Sequence, residues 1–213
     1  MSQTPGKSLK SRNMPWLSAL VTLDAALIAT VVWHNSIEYK SLTNLASLRL
    51  LMSVFVPVIV LFVVELLPSE VKASLVYWRF RDVLPGHRSF SIHAKRDCRI
   101  DFDALTKNVG APPTDPKEQN AFWYKLYKKV GSEITVSESH RMFLLYRDMA
   151  TISVMLAVLS PIALLALDTP LRQSMTICGM LLFQYLITAL SARNTGIRFV
   201  TNVLSIHSTK KVR

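Results

Sequence analysis

LLMSVFVPVIVLFVVELL, residues 50–67, is apolar almost throughout, with Glu65 near its end and Pro68 just beyond it. A helix rising about 1.5 Å per residue needs about 20 residues to cross about 30 Å of hydrocarbon, and this run is of that order. Three more such runs occur, at residues 15–33, 150–167 and 174–192. Between residues 68 and 148 the composition changes, and most of the charges and aromatic residues lie there. The pattern predicts an all-α membrane protein with four transmembrane helices arranged as two hairpins, 15–67 and 149–192. A mainly helical (α or α+β) insert, 68–148, separates helices 2 and 3. Basic tails, 1–14 and 193–213, flank the whole. A composition that is 50% hydrophobic, with mean hydropathy +0.29, suits four spans plus one insert.

The formal charge is +11. Basic chains often bind nucleic acid, but here topology accounts for the charge. The N-terminal tail has Lys7, Lys10 and Arg12 and no acid; the C-terminal tail has Arg193, Arg198, Lys210, Lys211 and Arg213 and no acid. The insert holds 14 Lys and Arg against 10 Asp and Glu. The loops 35–49 and 168–173 are sparse in basic residues, with Lys40, Arg49 and Arg172. The positive-inside rule puts both tails and the insert on the cytoplasmic side of a bacterial inner membrane. Anionic lipid is then the expected counter-charge, and nucleic acid is disfavoured as a partner. The first run is too long for a signal h-region and is interrupted by Asp24, so it reads as an anchor that stays in the membrane. Cys98 falls in the insert and Cys178 in a span, too far apart to pair, and both are expected to be reduced.

Local signals refine the layout. Trp16 and Trp33 bracket the first span as interfacial aromatics. Ser18, Thr22, Ala26 and Thr30 form a stripe of small residues at fourth positions, which favours close helix packing. Ser69 with Glu70 opens a stalk helix expected to reach about Val83. Residues 89–92 read as a short extended segment. Asp115, Pro116 and Glu118 start a helix, and Gly131 is expected at its C′ position. Ser137 or Ser139 is expected to cap the helix entering the third span, and Pro161 to kink it. Residues 168–170 form the outer turn. The apolar stretch 197–206 suggests a short interfacial helix.

Asp24 is the first candidate for chemistry. A carboxylate at mid-depth costs a few kcal/mol and must face protein or water. Gln184 lies at similar depth in the antiparallel fourth span, with Thr188 one turn on. The set is either a pore-lining polar seam or an interhelical hydrogen-bonded contact. A second group is Arg79, Arg81, Arg88, Arg96 and Arg99, which suit a nucleotide signal or lipid headgroups, or form a juxtamembrane basic belt. A third is Trp123, Tyr124 and Tyr127, either a small core or a partner interface. No cofactor is expected. His87, His93 and Cys98 lack zinc spacing, and Asp97, Asp101 and Asp103 lack the rest of an EF-hand loop. No phosphate-binding glycine loop or hydrolase motif occurs, so no enzyme activity is expected.

Three stretches look motif-like: DVLPGHR (82–88), EQNAFWY (118–124) and ARNTGIRFV (192–200). In layout the chain resembles small four-span membrane proteins of bacterial antiphage defence, including pore-forming effectors of nucleotide-signalling systems and the membrane subunit of the Kiwa system. The resemblance implies a homo-oligomer that either permeabilises the membrane or recruits a cytosolic protein, and it carries over no site residue. The expectation is an oligomeric membrane effector, a pore component gated through its insert. The alternative is a non-conducting anchor that docks a cytosolic effector.

Overall fold

The computed structural model of the protein describes residues 9–38 and 44–209. Lys7, Lys40, Lys210, Lys211 and Arg213 lie outside them, as do the side chains of Lys10 and Arg49. The described elements are all helical, and no strand occurs among these residues. They are α1 (Leu9–Glu38), α2 (Asn44–Leu66), α3 (Ser69–Tyr77), a 3₁₀ turn (Pro85–Arg88), a π turn (Ser89–His93), α4 (Ala94–Arg96), α5 (Phe102–Val109), α6 (Pro116–Val130), α7 (Ile134–Leu165) and α8 (Leu171–Thr209). Three of them are long and apolar enough to cross a membrane: Ser11–Trp33 within α1, α7 and α8. Leu50–Leu66 counts as a fourth when taken with α3 as one broken span.

The chain forms two compact units. The first comprises the chain up to Pro68 and Arg147–Ala189, and the second comprises Ser69–Tyr146 and the chain from Leu190 onward. In the first unit α1 packs along α2. Leu17, Val21, Ile28, Val60, Leu156 and Leu181 are buried, while Leu23, Phe55, Phe62, Leu66 and Phe183 face outward. An apolar exterior of this size is what hydrocarbon requires. Pro15, Pro57 and Pro161 all lie inside helices, which continue through them. Helix α1 therefore starts before Pro15, where the apolar run had placed its beginning.

The turn between α7 and α8 is made as the sequence suggests. Asp168 is left-handed (φ 56), its N–H donates to Leu165 O at 3.1 Å, and the Thr169 N–H donates to Leu164 O at 3.0 Å. That pair of bonds closes the helix end, with Asp168 where glycine is usual.

The second unit has an ordinary apolar core: Phe90, Ile100, Leu105, Trp123, Leu126 and Val130 against Phe199, Val200, Val203 and Leu204. Residues 193–209, read from sequence as the start of a basic tail, are the end of α8 and supply Phe199, Val200, Val203 and Leu204 to this core. Their apolar residues recur at three- and four-residue spacing, which puts them on one face of the helix. Gly196 permits the close approach, because a Cβ there would overlap Tyr77 Oη and the Phe143 ring.

Several local expectations are corrected. Residues 89–92 are helical, not extended: Gln119 Oε1 accepts from the N–H groups of Phe90 (3.3 Å) and Ser91 (3.1 Å) and holds the π turn closed. Helix α3 stops at Tyr77 because Trp78 is left-handed (φ 53). Gly131 keeps a right-handed φ of −62. Helix α7 begins before Ser137, and Ser139 donates back to Val136 O at 2.9 Å rather than capping. Asp115 does cap α6, accepting from Lys117 N (2.9 Å) and Glu118 N (3.1 Å). Asp101 caps α5 in the same way, through Asp103 N and Ala104 N.

Candidate functional sites

In the first unit Asp24 is 1% exposed. Gln184 Nε2 donates to Asp24 Oδ2 at 3.1 Å and to Ser153 Oγ at 3.0 Å, so both its amide hydrogens are used. The Ser153 hydroxyl in turn donates to Met149 O at 2.9 Å. One chain of hydrogen bonds thus ties α1, α7 and α8 together inside the bundle. Thr188 lies next to it in sequence but outside it, since its hydroxyl bonds back to Gln184 O (2.8 Å) and Tyr185 O (3.0 Å). Thr22 and Thr30 do the same on α1, and their small-residue stripe faces outward from the chain.

In the second unit a cavity of about 240 Å³ is lined by Arg79, Arg88, Arg96 and Arg193, with His93, Tyr77 and apolar side chains between them. The turns from Pro85 to Arg96 carry three of these groups, and Arg193 enters from α8. Arg193 Nε donates to Val76 O at 2.5 Å, and the guanidinium stacks 3.6 Å from the centroid of Trp78. The left-handed turn at Trp78 places that ring. Arg88 Nη1 donates to Asp82 O at 3.1 Å. No acidic residue lines the cavity, and Asp82 is the acid that acts on Arg88. His93 registers the resulting field. Burial, then the charges of Arg88, Arg96 and Arg79, push its pKa down to about 4, so it is neutral at pH 7. Burial and the neighbouring Arg79 lower Arg88 as well.

Of the five arginines singled out from sequence, Arg79, Arg88 and Arg96 therefore meet at one cavity. Arg81 is exposed and does not line it. Arg99 is used elsewhere: it pairs with Asp97 at 2.6 Å and donates to Asn202 Oδ1 and Thr201 Oγ1, both at 3.0 Å. The hydrogen bond from Arg99 holds the Asp97 carboxyl well below the usual range. Sequence reading missed Arg193, placed in the tail, and His93, considered only as a metal ligand. The distance of Arg193 in sequence from the others hides the grouping, whereas His93 lies between Arg88 and Arg96.

The aromatic residues fall into two kinds. Trp123 is 7% exposed, donates from Nε1 to Val200 O at 3.4 Å and meets Phe199 edge-on. Tyr127 stacks on Trp123 and contacts the ring of His140. Both belong to the core, and of the three only Tyr124 presents its ring to solvent. Asp101 and Asp97 are occupied as cap and ion-pair partner, and no group of three or more potential metal ligands occurs among the described residues. Comparison of the chain with protein-family models, with curated proteins and with solved structures finds no match.

Proposed function

We propose that the chain is a multi-pass protein of a bacterial inner membrane, with its insert and both tails cytoplasmic, acting as an oligomeric effector. Its second unit receives a ligand or partner, and its membrane helices respond by opening a conducting path. The observation that carries this reading is the Asp24–Gln184–Ser153 chain. A carboxylate kept at the middle of a span costs several kcal/mol where leucine would cost nothing, and such residues mark switching or conducting positions more often than packing alone requires. In the arrangement described, the seam is closed on itself, the state a gated path needs at rest. Helices α7 and α8 contribute residues to both units, so the two are joined by covalent chain at both helices. The outward-facing stripe of Ser18, Thr22, Ala26 and Thr30 suits contact with a second copy.

One feature favours a second reading. Because Asp24 and Gln184 satisfy each other, they also serve a non-conducting anchor that docks a cytosolic protein. The experiment that separates the two is membrane potential and ion leak in cells expressing wild type, Asp24→Asn and Gln184→Ala. The effector reading predicts that Gln184→Ala, which removes the amide bridging Asp24 and Ser153, raises the resting leak and the toxicity of expression. Identical potential in all three strains contradicts conduction through this seam and favours the anchor.

A further inference from the structure

We propose that the cavity between Arg79, Arg88, Arg96 and Arg193 is a binding site for a phosphate-bearing anion. This deepens the reading of the second unit as a sensor, and rests on that reading only for its consequence in the membrane. Four guanidinium groups around about 240 Å³ are costly to gather unless an anion is their partner. Among the described residues no carboxylate pairs with Arg79 or Arg96. Guanidinium forks match the oxygens of phosphate two at a time, which an ammonium does not. The volume is below the range of about 300–1,000 Å³ usual for whole drug-sized ligands, so it fits a phosphate or diphosphate group with the rest of the molecule outside.

The site is preorganised. Arg193 is fixed by Val76 O and the face of Trp78, and Arg88 by Asp82 O. The π turn Ser89–His93, an irregularity found disproportionately at functional positions, supplies Ile92 and His93 to the cavity lining. Gln119 maintains that turn with a buried amide that is satisfied on both sides, its oxygen accepting from Phe90 and Ser91 and its Nε2 donating to Thr114 O at 3.0 Å. His93 stays neutral among the arginines and offers a hydrogen-bonding nitrogen without adding a fifth charge.

The shared chemistry admits two sources, a soluble phosphorylated molecule or a phospholipid headgroup. The test uses full-length protein in a maltoside detergent, titrated calorimetrically with inorganic pyrophosphate and, separately, with dihexanoyl phosphatidate. Saturable binding is expected. Arg79→Glu and Arg96→Glu, both at exposed positions, should each weaken it at least tenfold, and Arg96→Lys by less. Lys107→Glu, an equal change of charge on α5 outside the cavity, should leave it within twofold. Tighter binding of pyrophosphate assigns the site to a soluble ligand, and tighter binding of phosphatidate assigns it to a headgroup; either supports the site. Absence of saturable binding for both probes overturns it, as does a loss in Lys107→Glu equal to that in Arg96→Glu. Binding needs no conduction, so an intact site beside an unchanged potential in the Gln184→Ala strain supports the site while overturning the effector reading.

Discussion

In the first unit the carboxylate Asp24 is buried and Leu66, at 82% exposure, faces out; in the second the indole of Trp123 is buried and lysines and arginines cover the outside. The same backbone, the α-helix, is used with opposite side-chain order. The difference is the one expected of a first unit that faces lipid and a second that faces water. In water, burying apolar area stabilises by about 25 cal/mol per Å², so Phe90, Leu105, Trp123 and Phe199 gather at the centre. In hydrocarbon that gain vanishes, and what holds helices together is close packing and internal hydrogen bonding. The Asp24–Gln184–Ser153 chain and the serine and threonine hydroxyls turned back onto their own helices are of that kind.

The largest effect that can break this comparison is truncation after Ala192. It removes Phe199, Val200, Val203 and Leu204, each large core side chain worth about 2–5 kcal/mol, against about 5–15 kcal/mol for a whole domain. Limited proteolysis of the full-length and truncated proteins in membranes should show rapid cutting between residues 69 and 146 only in the truncated one. An insert that stays resistant would mean that the end of α8 is not part of its core.

A matched pair of substitutions sharpens the contrast. Phe62 and Phe80 are both highly exposed, at 68% and 97%. If lipid surrounds it, Phe62→Lys should cost about 3 kcal/mol of membrane insertion, read from the fraction integrated in a translocation assay. Phe80→Lys, beside Arg79 and Arg81, should stay within about 0.5 kcal/mol. Equal effects would remove the distinction between the two exteriors.

Gln119→Leu should destabilise the second unit by about 2 kcal/mol, since it strands the Phe90 and Ser91 N–H groups. The measurement is hydrogen exchange of the Ser89–His93 amides in the full chain, which should become unprotected before the rest of the unit.

The smallest predicted effect is one of pH. His93 is held at about 4 in the fold against an ordinary 6.5, by burial and by Arg88, Arg96 and Arg79. The unfolded chain therefore takes up this proton first as pH falls. Stability from this group is complete above about pH 6.5 and declines toward pH 4. Melting of the full chain from pH 7.5 to 4.5 should show the slope, and His93→Gln should flatten it.

Much of the fold is legible in the sequence because its strongest signals are local. Four apolar runs, the Asp115–Pro116 helix start and the turn at residues 168–170 need no distant partner. The errors lie where distant contacts decide. Ser89–Ile92 looks extended until Gln119, far along the chain, closes the turn. Residues 193–209 look like a tail because Arg193, Arg198, Lys210 and Lys211 dominate the composition, while Phe199, Val200, Val203 and Leu204 acquire meaning only against Phe90 and Trp123. The candidate sites divide the same way. Asp24 with Gln184 follows from depth in two antiparallel spans. Three of the arginines stand close together in sequence, but the fourth, Arg193, arrives through the packing of Gly196 on Tyr77 and Phe143.

The two native cysteines offer the most direct measurement of whether one unit lies in lipid and the other in cytoplasmic water. Cys98 is exposed on the second unit, and Cys178 is half-buried in the apolar first half of α8. Sealed spheroplasts and opened membranes would be treated with a membrane-impermeant maleimide, using wild type, Cys98→Ser and Cys178→Ser. The account predicts no labelling in sealed cells, labelling of Cys98 alone once the cytoplasmic face is opened, and labelling of Cys178 only after denaturation. Labelling of Cys98 from outside, or of Cys178 in the native membrane, would contradict it.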